Sequence, residues 1–362
     1  MNQENSSDWL FVGGYGATIE AFRFDASSGT LHPAALTEAV PESPTFLTLD
    51  ARRKVLFAIS EKAGPDAPEP GRATSYRVDA STGSLTKLSE VSSGGGNTVS
   101  VQLSRSGKFL LTASSSTAEG RVAVIPVSEL GELSEPSDSH VAGKNAHGQA
   151  QSVDGRFVWV ACRGDELVAQ YRFDELAGKL EPLTPATVQL SRPSGPRRVA
   201  VHPRLPVAYV ILDWSGEIVS YQIGPNGQLR EPNCTSVFPP GRQPQAVTGT
   251  MTAADLEVST DGKTVYASTR TPECQSIAVL RVDATGRLSL IDNEPAGGLI
   301  AGPRHFVLSS DNRHLFVANQ DHDTLLVLAV SPETGRLALR GSTVPTRVKK
   351  PNAVAFGSLE LG

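Results

Sequence analysis

Residues 302–319, GPRHFVLSSDNRHLFVAN, read as an apolar strand, a polar turn and a second apolar strand, opened by two bulky cations, Arg304 and His305. A near copy, GPRRVAVHPRLPVAYVIL, fills residues 195–212 with Arg197 and Arg198 at its opening. Aligned on the turn, the unit recurs as DARRKVLFAIS from residue 50, SRSGKFLLTAS from 104, SVDGRFVWVAC from 152, HPRLPVAYVIL from 202, STDGKTVYAST from 259 and SSDNRHLFVAN from 309. Each copy runs on into a third strand and, after a turn, a fourth, as in VAQYRFDELAGKLEPL from 168 and IAVLRVDATGRLSLI from 277. Four strands repeated every 48 to 57 residues is the size of a propeller blade. Alternation such as VAQYRF fits β structure, and no long stretch carries a helical period.

Six full copies leave both ends of the chain over. The start, WLFVGGYGATIEAFRFDASSGTLHPAA, holds the later strands of a copy without its first, and KKPNAVAFGSLEL at the end supplies a first strand with nothing after it. The two together make a seventh blade shared between the termini, which closes the ring and removes the open sheet edges. The expected fold is therefore all-β, a seven-bladed β-propeller with four antiparallel strands per blade, as one domain over residues 1–362.

Composition agrees with a globular chain of short strands and many turns: of 362 residues, 39% are hydrophobic, 20% charged, 33 are Gly and 25 Pro. A formal net charge of -5 argues against a general nucleic-acid surface, so any anion binding must come from a local cluster. No apolar run approaches the ~20 residues needed to cross a bilayer, and the opening MNQENSSDWLFVGG lacks the regions of a secretory signal. Cys162, Cys234 and Cys274 are odd in number and widely spaced, which fits a reducing cytoplasm better than a disulfide framework or a zinc site. The RGD at 163–165 reads as chance, and a monomer is expected.

In a blade the start of the first strand and the end of the second lie on the same face of the disc. First-strand openings carry His147, Arg197 with Arg198, Asp255, and Arg304 with His305. Second-strand ends carry Glu61, Asp213, Arg270, and Asn319 with Gln320. Scattered in sequence, these residues are expected to ring one mouth of the central channel, where arginine, histidine and carboxylates can bind an anion and move protons. His202, His314 and His322 are expected on solvated surface.

On GPRRVAVHP with the later Asp213, AADLEVSTDGKTVYASTR, GPRHFVLSSDNRHLFVANQ and the D-x-x-T/S-G-x-L turns, the whole chain resembles the seven-bladed propeller lactonases. That family includes propeller-type 6-phosphogluconolactonases and carboxymuconate-lactonizing enzymes. The resemblance implies a catalytic set of His147, Arg197, Asp213 and Arg270, and from the rest of the ring Glu61, Arg198, Asp255, Arg304, His305 and Asn319 are expected to bind substrate. It implies no cofactor and no metal. The chain departs from the family pattern at Arg198 and Ser100, where histidines are usual, at Cys162, where aspartate is frequent, and at Asp213, usually glutamate.

The implied reaction is hydrolysis of a small, anionic sugar lactone. A histidine with an ordinary pKa near ~6.5 suits the base, here His147, while Arg197 and Arg270 suit the oxyanion or an anionic group. Arg304 with His305 is expected to hold a sugar phosphate, and Asp213 or Glu61 to orient and balance the cations. Two other readings stay open: a cycloisomerase acting on a carboxymuconate-like lactone with the same groups, and a propeller that binds a ligand or protein without turnover. The loop of residues 233–255 is expected to lie over the same face.

Overall fold

A computed structural model describes residues 6–38, 43–61, 71–191 and 193–361. The strands form seven antiparallel sheets. The first blade runs Pro44–Asp50, Val55–Ser60, Arg72–Val78 and Leu85–Ser92, and the ring proceeds through inner strands Asn97–Leu103, Ala146–Gln151, Pro196–Val201, Ala253–Val258 and Pro303–Leu308. In the seventh blade the inner strand is Pro351–Glu360, and it pairs with Ser6–Gly14 from Ser6 opposite Glu360 to Gly14 opposite Pro351. The shared blade expected from the sequence is thus formed, and the two ends of the chain are held in one ladder. No helix of the described residues is long and apolar enough to cross a membrane.

The core is divided among the blade interfaces. One buried cluster joins blades seven and one through Trp9, Phe11, Leu56 and Tyr76, and another joins blades five and six through Tyr266, Phe306 and Leu326. The turn signature has a direct physical role at these interfaces. Gly83 (φ +74) and Gly286 (φ +84) adopt the left-handed conformation that glycine tolerates, and a Cβ there would lie 2.4 Å from Trp9 and 2.5 Å from Val207 respectively. The second strand of one blade thereby nestles against the outer turn of the next, and buried ring groups fasten the contact. Trp9 Nε1 donates to Ala80 O at 3.0 Å, Trp159 Nε1 to Gly227 O at 2.9 Å, and the Tyr209 hydroxyl to Gly286 O at 3.0 Å.

All seven inner strands share one irregularity. The ladder to the second strand slips by one residue at the channel mouth, at Thr45, Val99, Arg197, Arg304 and Asn352 and within His147–Gly148 and Ala254–Asp255. A β-bulge leaves its extra residue outside the pairing and re-aims the side chain. The fold therefore provides seven equivalent ports at one end of the channel.

Two histidines expected at the surface are buried instead. His202 is 3% exposed because its Nδ1 accepts the Arg204 and Leu205 amides at 3.0 and 2.8 Å, closing the turn, while Nε2 lies 2.9 Å from Gly262 O. His314 packs edge-on against Phe24 at 4.9 Å. His322 is exposed, as expected.

Candidate functional site at the channel mouth

Asp213, directly after the second strand of blade four, is fully buried, and three guanidinium groups converge on it. Arg163 Nη1 donates at 3.0 Å, Arg270 Nη2 at 3.0 and 3.2 Å to the two oxygens, and Arg197 Nη1 at 3.4 Å. Burial alone would raise the Asp213 carboxyl, but Arg270, Arg197 and Arg163 hold it below its usual value. Arg197 also donates through Nε to Ala254 O at 2.9 Å, and burial together with Arg270 makes its own charge costly.

A second group sits on blades six, seven and one. Arg304 donates to Glu61 at 3.1 Å and to the Tyr15 hydroxyl, and that hydroxyl donates to Glu61 at 3.0 Å. Arg304 is held charged: burial works against it, and Glu61 and Tyr15 outweigh burial. Four guanidinium groups therefore face two carboxylates at the mouth, leaving two positive charges unbalanced.

His147 lies in the bulge of blade three, 6% exposed, with Nδ1 lacking a partner among the described residues. Burial, and then the charges of Arg197, Arg163, Arg304 and Arg198, push its pKa well below the ordinary 6.5. The shift favours the neutral imidazole, where an ordinary histidine was expected.

Arg198, Asp255 and His305 do not join the mouth cluster. They form a layer in the channel wall: Arg198 Nε to Asp255 Oδ1 is 2.9 Å, and His305 Nε2 to Asp255 Oδ2 is 3.4 Å. His305 Nδ1 accepts the Val354 amide at 3.1 Å, so Nε2 carries the proton toward Asp255. Arg198 also lies over the Phe46 ring at 4.5 Å and donates to Ser100 Oγ at 3.3 Å. Two of the four departures from the family pattern, Arg198 and Ser100, thus touch each other. A cavity of about 440 Å³ is lined by this layer and by Gln102, Gln151 and Glu257, but not by His147, Arg197, Asp213 or Arg270. Burial pushes the Glu257 carboxyl up to about 8, against the Leu308 amide that donates to it.

Asn319 is a correction. Its Oδ1 accepts the Ala301 amide at 3.1 Å and its Nδ2 donates to Leu299 O and Thr324 Oγ1 at 2.9 and 3.2 Å. Both amide protons are committed to the protein and the residue is fully buried, so it shapes the blade and is not placed to bind substrate. Sequence reasoning missed Arg163 and Tyr15. The signal was register: the residue after the last one that pairs with the inner strand is Tyr15, Glu61, Ser116, Arg163, Asp213, Arg270 and Gln320 in the seven blades. Cys162, one position earlier, is a buried thiol in the interblade cluster. Residues 239–251 connect the outer strand of blade four to the inner strand of blade five on this face, and Gln243 Nε2 tethers the loop to Ser215 O at 2.9 Å.

The fold and the site define a seven-bladed propeller with an arginine-rich polar cluster at one channel mouth. The sequence matches the family "Lactonase, 7-bladed beta-propeller" over residues 9–356, and the chain belongs to that family. It is 28% identical to a 6-phosphogluconolactonase of Bacillus subtilis over 93% of this chain and 94% of the relative, and 25% identical to one of Formosa agariphila over 91% and 94%. The structure of the periplasmic gluconolactonase of Pseudomonas aeruginosa is similar with a TM-score of 0.85 and 29% identity, covering 97% of this chain and 99% of that one.

Proposed function

We propose that this propeller is a lactonase that hydrolyses an anionic sugar lactone, with 6-phosphogluconolactone as the leading candidate. The observation that carries the reading is the buried Asp213 with three guanidinium groups around it, together with His147, whose Nδ1 has no partner among the described residues. His147 accepts a proton from water as the oxygen attacks the lactone carbonyl. Charge then develops on the carbonyl oxygen, where guanidinium donors from Arg163, Arg197 or Arg270 stabilise it. That negative charge also offsets the arginines that hold His147 neutral, so its basicity rises as the transition state forms. The carbon to ring-oxygen bond breaks, the ring oxygen takes the proton from His147, and the product is a hydroxy acid whose new carboxyl group loses its remaining proton to solvent and leaves as the carboxylate.

The two unbalanced positive charges match a phosphate monoester, which carries about -1.5 to -2 near neutral pH. Since the Arg304 fork is occupied by Glu61 and Tyr15, the phosphate reading falls on Arg163, Arg197 and Arg270 rather than on Arg304 with His305. The three free cysteines support a cytoplasmic location, which fractionation of the native host cell tests. The function is tested by following acid release from freshly prepared 6-phosphogluconolactone and glucono-δ-lactone, with the spontaneous rate subtracted. A rate above background that is higher on the phosphorylated lactone is expected; background rates on both would overturn it.

A further inference from the structure

The mouth is chemically two-sided. Blades three to five supply His147, Arg163, Arg197, Asp213 and Arg270, whereas on blades six, seven and one Arg304, Tyr15 and Glu61 are tied to one another, and beside them stand neutral amide and hydroxyl groups without partners among the described residues. Asn352 occupies the bulge of blade seven in the register that Arg197 and Arg304 hold in theirs, and Thr45 does so in blade one. Asn352 is 1% exposed and neither its Oδ1 nor its Nδ2 has a hydrogen-bond partner among the described residues. Thr45 is 4% exposed with its Oγ1 likewise unpartnered, and the buried Oε1 of Gln320, in the same register as Asp213 and Glu61, is also without a partner.

Buried polar atoms left unpaired cost stability, and a single one is uncommon enough to need a reason. Here four fall on three adjacent blades at one end of the channel. Being neutral, these groups do not select an anion. An amide offers one acceptor and one donor group side by side, and a threonine hydroxyl offers both, which is the complement of neighbouring hydroxyls that each donate and accept.

Resting on the lactonase reading, we infer that Asn352, with Thr45 and Gln320, forms the subsite for the hydroxyl groups of the substrate's polyol portion. The arginine side faces the carbonyl and any anionic substituent. The amide side decides that the ring must be hydroxylated, because a lactone without hydroxyls leaves these buried groups unpaired on binding.

The test uses Asn352→Leu and Thr45→Val, which remove hydrogen-bonding capacity while keeping the number and branching of side-chain heavy atoms, and two lactones with the same ring, glucono-δ-lactone and δ-valerolactone. Each variant is expected to lower kcat/KM on glucono-δ-lactone about tenfold or more, chiefly through KM, and to leave δ-valerolactone unchanged. An equal fall on both lactones, or no change on either, overturns the subsite. Melting temperatures should hold or rise, because an unpaired buried group is removed; an early-melting Asn352→Leu protein leaves the decision to Thr45→Val. If wild-type protein hydrolyses neither lactone, the activity reading fails separately, and calorimetry with gluconate decides the subsite. Weaker gluconate binding by the variants then supports it, and equal binding or none to wild type overturns it.

Discussion

Arg163 and Asp213 stand fifty residues apart, on adjacent blades, and meet at 3.0 Å. Of the three guanidinium groups on that carboxylate, Arg163 is the most accessible, with 26% of its side chain exposed against 5% for Arg197 and 8% for Arg270. It is the one best placed to turn toward an incoming anion. Arg163→Ala is expected to cut turnover by about 10²-fold or more with an unchanged circular dichroism spectrum and little change in melting temperature. Full activity in the variant would remove Arg163 from the site.

Asp213 is expected to behave in the opposite way. Taking the carboxylate from beneath three guanidinium groups leaves buried charge uncompensated, a change that costs about 3–5 kcal/mol for a buried pair. Denaturant unfolding of Asp213→Asn should show that loss, together with a large drop in activity. Wild-type stability would mean that the arginines do not depend on this residue.

The buried histidines separate the pH dependence of activity from that of stability. Because His147 is held well below the ordinary value, the rate should show no inflection near pH 6.5 once the spontaneous reaction is subtracted. Stability should respond there. His147, His202, His305 (lowered to about 4) and His314 all have depressed folded-state pKa values, with burial as the main cause. The unfolded chain takes up protons below about pH 6.5 while the folded one resists, so stability is full above that value and falls as pH drops toward 4. A melting temperature constant between pH 7 and 5 would contradict this assignment.

Removing residues 351–362 deletes the inner strand of blade seven and exposes the backbone edge of Ser6–Gly14. Buried Val354, Ala355 and Leu359 leave with it, from two interblade clusters. A strongly lowered melting temperature and a tendency to aggregate are expected; a melting curve like that of the full chain would show that the shared blade is dispensable.

Exhaustive chelation should leave activity intact. The mouth is built of guanidinium groups, an imidazole and two paired carboxylates, and no group of three or more histidines, cysteines or carboxylates among the described residues is arranged to hold a metal ion. Loss on EDTA treatment with recovery on adding calcium would overturn this.

The repeat made the architecture readable because strands and turns impose their own period, down to the sharing of a blade between the termini. The charged members of the mouth were readable by type and approximate place. What escaped was one-residue register. Arg163 follows the last strand residue, Cys162, and a strand end cannot be located to one position from alternation alone. The bulges hid the rest: Arg197 and Arg198 are adjacent in sequence, yet one reaches the mouth and the other the channel wall. Asn319 was misassigned for a related reason, since its polarity serves the backbone of residues 299 and 301. His202 looked like a turn residue bound for solvent, whereas its Nδ1 takes the turn amides, the task that the Ser259 hydroxyl and Asp261 carboxylate perform in blade five.

The bulge repeated in every inner strand separates two kinds of inheritance in this chain. Residues in the ladder must keep their alternation or the blade loses its register, but each port residue stands outside the ladder and is free of that constraint. Thr45, Val99, His147, Arg197, Ala254, Arg304 and Asn352 differ widely in size and charge along one ring of otherwise similar blades. Such a scaffold can drift in substrate one port at a time without renegotiating its fold, and a blade transplanted from a relative would bring its own chemistry with it.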